Sequence, residues 1–166
     1  MLARSAFGNY RELLEEASVE DRPDVLNDFG IVLGEMGETA EARQHLREAI
    51  RQFRQLARRA PTRRADLASA LDNLASSLAS DWTETSADSA WMLQKEAVDL
   101  KTDLWGKGHP QVAEALSELA SLAASRGNRA TSDSLYARAV SILEPAYGTE
   151  HPTLATVFNN WALARA

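Results

Sequence analysis

Metal, base or nucleophile chemistry in this chain would fall to three histidines, His45, His109 and His151, because there is no cysteine. His109-Pro110 and His151-Pro152 stand 42 residues apart in matching surroundings. Equivalent places one helix pair apart are separated by roughly 16–20 Å at the usual 8–10 Å per packed layer. Nitrogens sharing one zinc at about 2 Å must lie within about 4 Å of each other. The two histidines are therefore expected to open helices rather than to share a metal. His45 falls where the chain elsewhere places Leu93 or Leu135, so packing is its expected role. Gly106-Lys107-Gly108 lacks the earlier glycine, the following Ser/Thr and the preceding strand of a phosphate loop. The neighbouring carboxylates Glu15-Glu16 and Glu20-Asp21 diverge on a helix and make no poised acid–base pair. No catalytic residue, metal site or cofactor is expected, and the chain does not read as an enzyme.

Charge offers a different kind of chemistry. Residues 43–64 hold eight arginines against the single acid Glu48, a net of +7 within a chain of formal charge -6. Arg43, Arg47, Arg51, Arg54 and Arg58 step by four, four, three and four, which lines them along one helix face. They form a candidate ridge for a phosphate-rich or acidic partner. The alternative is an outward face in a chain that prefers arginine, with acids such as Asp66 or Asp72 pairing across repeats. The acidic balance and a pI near 5.1 argue against nucleic acid as the general partner. No apolar run approaches the roughly 20 residues that span a bilayer. The N-terminus lacks the apolar core of a secretion signal, and the expected location is cytoplasmic.

These groups sit on elements that repeat. Leu116, Leu119, Ala120, Gly127, Ala139 and Val140 match Leu26, Phe29, Gly30, Gly37, Ala49 and Ile50 at an offset of 90. Leu71, Leu74 and Ala75 match the first set at 45, and Ala97 and Val98 match at 42. The three-residue difference falls in the polar stretch 81–86, a lengthened turn. Trp105-Gly106 and Tyr147-Gly148 precede the two His-Pro pairs. Apolar residues recur three and four apart, the helical period, and nothing reads as a strand. Pro23, Pro110 and Pro152 suit first turns. Gly37 and Gly127 suit left-handed helix ends, Thr39 and Thr62 are expected N-caps, and Pro145 should end or kink its helix. Small residues at Gly30, Ala75 and Ala120 let paired helices approach closely, and such pairs must stack to bury their apolar stripes. The expected organisation is an extra or capping helix over 1–20 and an array over 21–166. Its repeats run at about 23–60, 62–106 and 109–148, with a half repeat at 151–166.

Leu71-Asp72-Asn73-Leu74-Ala75, Leu135-Tyr136-Ala137-Arg138-Ala139-Val140 and the Gly-x-x-His-Pro turns resemble tetratricopeptide repeats. The resemblance is to the 42-residue variety of kinesin light chains and many bacterial multidomain proteins, over roughly residues 23–166. Departures are the longer turn in the second repeat, Gln94 where the pattern wants an aromatic, and a last repeat with one helix. The resemblance implies an all-α, right-handed α-solenoid, a superhelix of stacked antiparallel helix pairs. It also implies a non-catalytic protein-interaction scaffold whose first helices line a concave peptide groove. Carried over by position, groove residues are Asp28, Asn73, Glu118 and Asn160, then Ser76 and Ser121 with Ile31 and Leu163 one turn on, and Asp24, Ser69, Glu114 and Thr156 one turn back. None is basic, so the groove should favour neutral or basic segments. The alternative is a regulatory or oligomerisation arm of a larger bacterial signalling protein, such as a Ser/Thr kinase or nucleotide-driven switch.

The ends carry expectations too. Leu154, Val157, Phe158 and Trp161 are expected to lack a covering partner helix. Ala3, Ala6, Phe7, Tyr10, Leu13, Leu14 and Ala17 form an amphipathic stripe like a second repeat helix. The chain reads as a segment of a longer protein or as one that pairs end to end into a homodimer through Leu154, Phe158 and Trp161.

Overall fold

The computed structural model describes residues 9–10, 12–81 and 83–165. The elements are helices α1 Arg22–Glu35, α2 Thr39–Ala57, a 3-10 turn Pro61–Arg63, α3 Arg64–Ala79, α4 Glu84–Trp105, α5 Pro110–Ser125, α6 Arg129–Tyr147 and α7 Pro152–Arg165. Residues 9–10 and 12–16 are helical as well, and among the described residues there is no strand. Ala3, Ala6 and Phe7 of the expected N-terminal stripe lie outside the described residues. The helices gather into two compact units, Met1–Ser77 and Leu78–Ala166.

In the first unit α1 packs against α2. The glycine at position 30 sets their approach: a Cβ there would meet Leu46 Cγ at 2.7 Å and the Ala42 carbonyl oxygen at 3.1 Å. Phe29, Leu33 and Ala42 form a core patch, with Tyr10 and Leu14 packed on it. The Tyr10 and Phe29 rings stack at 5.1 Å. At the end of α1, Gly37 takes φ +85°. Its N–H donates to Gly34 O and the Glu38 N–H donates to Leu33 O, the paired bonds that satisfy a helix's last carbonyls. α2 begins one residue earlier than the threonine pattern suggests. Thr39 is its first helical residue, Glu38 precedes it, and the Thr39 hydroxyl donates to Gly37 O. Thr62 is no N-cap either, because the break at Pro61 runs through a 3-10 turn before α3.

In the second unit Thr83 caps α4 by accepting from the Ser86 N–H at 3.2 Å. Helix α5 packs against α4, α6 and α7. Val112, Ala113, Leu116, Leu119, Ala120, Tyr136, Ala139 and Leu143 form the core, closed by Leu154 and Val157 of α7. Gly127 repeats the helix end of Gly37, with Gly127 N–H donating to Ala124 O and Asn128 N–H to Ala123 O. Pro145 sits in the last turn of α6, which runs on to Tyr147. So near the end, the one amide that proline removes ends nothing.

The two His-Pro junctions are built alike. Gly106 has φ 86°, ψ 159° and Gly148 has φ 81°, ψ 164°, a region open essentially to glycine alone. His109 Nδ1 then accepts from the Gln111 N–H at 3.2 Å, and His151 Nδ1 accepts from the Thr153 N–H at 3.2 Å. Each ring also stacks on the aromatic residue that closed the preceding helix, Trp105 at 5.3 Å and Tyr147 at 4.3 Å. Both histidines thus open helices, through an imidazole nitrogen in the place of the usual side-chain oxygen.

Candidate partner-binding surfaces

The first helices hold the expected groove positions differently in each unit. In the first, Asp28 and Ser76 are exposed, while Asn73 is half-buried. Asn73 donates an amide N–H to Asn27 Oδ1 at 3.0 Å, and the Asn27 amide reaches Asp28 Oδ1 at 3.4 Å. Asn73 is therefore part of a polar ladder along α1 and α3. The negative charge expected at Asp24 is compensated. Arg63 donates to both Asp24 oxygens, to Asp66 Oδ2 at 2.9 Å and to Glu20 O at 2.6 Å. Its guanidinium also lies 5.4 Å from the centre of the Phe53 ring. Burial opposes the charge on Arg63, and its hydrogen bonds and Coulombic attraction to Asp24 and Asp66 outweigh that, raising the pKa further. No periodicity announces this hub, since Asp24 lies 39 residues away.

In the second unit Glu118 and Ser121 are exposed on α5 and Asn160 is half-buried on α7. Glu118 accepts from the Gln94 amide at 2.8 Å. Gln94 is buried at the place where the pattern wants an aromatic, and it also reaches Ala115 O at 3.5 Å. The departure from the pattern thus places a buried amide against the Glu118 carboxylate. Ser121 Oγ sits 2.6 Å from the Tyr136 hydroxyl and also donates to Ser117 O. Burial raises the Tyr136 pKa, and the Ser121 bond partly offsets that. Glu114 and Asn160 are half-buried and make no hydrogen bond or ion pair with other described residues.

The arginine ridge is shorter than its spacing suggests. Arg43 turns aside to Ser77, donating from Nε to Oγ at 3.0 Å and from Nη2 to the carbonyl. Arg47, Arg51, Arg54 and Arg58 are exposed and, with Gln55, line one depression of about 260 Å³. Glu48 pairs with Arg51 through Nε at 2.8 Å and through Nη2, and this hydrogen bond holds the Glu48 carboxyl below the usual carboxylate range. His45 is half-buried, with its ring 4.8 Å from Phe29 and Nε2 3.8 Å from Glu41, in keeping with packing.

The terminal helix is better covered than its sequence implies. Leu154 is 1% exposed and Val157 is buried, both within the second unit's core. Trp161 is half-buried, stacked on Tyr136 at 5.8 Å and donating from Nε1 to Asp133 Oδ1 at 2.6 Å. Leu154 is thus unavailable for end-to-end association, whereas Phe158 (47%) and Leu163 (67%) are exposed. Among the described residues no group of three or more His, Asp or Glu is placed to hold a metal ion. Among the described residues no helix is long and apolar enough to cross a membrane.

The tetratricopeptide repeat family matches over residues 24–56 and 112–153. None of the curated proteins matches the chain. Among solved structures it is similar to BtubC (BKLC) from P. vanneervenii, with a TM-score of 0.82 at 17% identity over 98% of this chain. It spans 65% of the length of BtubC. It is also similar to the nearly identical TPR-like repeats of a candidate kinesin light chain from Podosopora anserina, with a TM-score of 0.53 at 17% identity. A point-substituted form of those repeats gives 0.55 at 16%; each alignment covers 97% of this chain and 84% of the other. Residues 24–56 and 112–153 thus match tetratricopeptide repeats, and the chain shares the all-α repeat fold of these solved structures.

Proposed function

We propose that this chain is a non-catalytic protein-interaction module whose first helices take a neutral or basic segment of a partner protein. The carrying observation is in the second unit, where Glu118 is oriented by Gln94 while Glu114 and Asn160 keep their polar atoms available. A carboxylamide both donates and accepts, so Asn160 suits the backbone of an extended peptide, and the two carboxylates favour positive charge along it. Asn73 is already engaged by Asn27, which makes Asn160 the cleaner probe. The test is fluorescence anisotropy with a panel of labelled neutral, basic and acidic peptides. The expected result is a preference for basic peptides that weakens about tenfold in Asn160→Ala, the scale of one lost hydrogen bond, with helicity unchanged. Equal capture of acidic peptides, or affinity indifferent to that substitution, overturns the reading.

A second reading rests on Arg47, Arg51, Arg54 and Arg58, which share one depression on α2. These four fit an acidic partner segment.

A further inference from the structure

Four guanidiniums gather at one place on α2. Arg47, Arg51, Arg54 and Arg58 are all exposed, and with Gln55 they line a single depression of about 260 Å³. Arg47 and Arg58 stand eleven residues apart, roughly 16 Å at the helical rise of about 1.5 Å per residue. These two end residues make no hydrogen bond or ion pair with other described residues. Arg51, between them, already holds a carboxylate: Glu48 accepts from its Nε at 2.8 Å and from its Nη2. The Gln52 amide steadies Glu48 from 2.6 Å. A single carboxylate arriving from a partner would only exchange with one that the helix has already placed. A phosphate monoester brings a charge of about -1.5 to -2 and three acceptor oxygens. The planar guanidinium fork matches two of those oxygens at once.

The surroundings separate this site from those of other polyanions. Single-stranded nucleic acid is held by aromatic rings on which its bases stack, and Phe53 of α2 is only 2% exposed. A membrane surface takes exposed apolar side chains among its cations, and α2 exposes no large one. We propose that the arginine depression receives a phosphorylated serine or threonine of a partner protein, flanked by acidic residues that reach Arg47 and Arg58; this rests on the reading above that α2 docks an acidic segment. In an extended segment, residues two apart are separated by about 6.6 Å. Acids two places on either side of the phosphate therefore come close to both ends of the ridge.

The test uses the full chain and three labelled peptides of the form Asp-Gly-X-Gly-Asp, with phosphoserine, glutamate or serine at X. Fluorescence anisotropy at low salt should rank them in that order, phosphoserine binding at least about tenfold tighter than glutamate. Arg51→Lys keeps the charge but loses the fork, so it should shrink that gap severalfold. Glu48→Gln removes the resident carboxylate and should narrow the gap from the other side, by tightening the glutamate peptide most. Both side chains lie on the outer face of α2, so circular dichroism should stay that of the wild type. Equal affinity for the phosphoserine and glutamate peptides overturns the proposal and leaves an acidic partner standing. No binding of either at low salt overturns both. A gap that neither substitution moves overturns the proposal, as does phosphopeptide binding that survives Arg51→Glu with Arg54→Glu. Tighter binding of a poly(U) oligonucleotide or of phosphatidylserine vesicles than of the phosphopeptide overturns it too.

Discussion

An imidazole nitrogen stands at His109 and His151 where serine, asparagine or aspartate stands at most helix starts. The arrangement has two supports, the accepted N–H and the aromatic ring beneath, so removing the side chain loses both. His151→Ala should lower unfolding free energy by about 1–2 kcal/mol, the usual worth of a cap, while His151→Asn should recover part of it; urea denaturation followed by circular dichroism measures both. The role of these histidines as helix openers is legible from the following prolines. The ring atom that accepts is not, because it depends on the glycine that swings the chain back over Trp105 or Tyr147. Tyr136 gives a second test. Burial raises its pKa above the ordinary value near 10, so the folded state holds the phenolic proton more tightly than the unfolded one. That contribution is intact below pH 10 and is lost as pH rises through the raised value. Tyr136→Phe should therefore flatten the alkaline limb of the stability profile, measured by denaturation between pH 8 and about 11.5.

Among elements, the helix pairs were the most legible part of the chain, because apolar spacing writes the buried face directly into the residue order. Their ends were less so. Threonine is a good cap at many helix starts, yet at Thr39 the helix begins one residue sooner, and at Thr62 a tight turn intervenes. Partners that depend on tertiary placement were also hidden, as the Arg63 and Asp24 pair shows. The helix contact at Gly30 was foreseeable as a small residue at a repeating place, but its tightness was not. Alanine serves at the matched Ala75 and Ala120, so repeat logic alone would allow Gly30→Ala. The packing does not, since Leu46 can shift but the Ala42 carbonyl belongs to a helix backbone. An alanine gains about 1 kcal/mol in helix propensity over glycine, against roughly 1–3 kcal/mol for overpacking. The expected balance is a destabilisation of up to about 2 kcal/mol, readable by thermal or urea unfolding.

At the scale of the whole molecule, formal charge -6 conceals a basic segment and a more acidic remainder. Four of the five ridge arginines remain on one face after Arg43 turns to Ser77. If an acidic partner docks there, binding of a polyglutamate probe should weaken steeply between 50 and 200 mM salt, as exposed charges are screened over about 10 Å. Arg51→Glu with Arg54→Glu should reduce it by at least tenfold, measured by anisotropy, while binding of basic peptides to the first helices stays unchanged. The ridge was visible in the residue spacing, and its loss of Arg43 was not, since Ser77 lies 34 residues away. The residues carried over as groove positions were legible as places on the first helices but not in their engagement, which depends on neighbours such as Gln94.

The matched junctions at Gly106 and Gly148 bear on how a chain of this kind can lengthen. Their backbone angles agree within a few degrees, and each reproduces the same aromatic stack and ring cap. A gene that copied residues 107–148 in tandem would join the new block to the old through a hinge the protein already makes. Growth by duplication would then require no newly invented connector, only another copy of one that works.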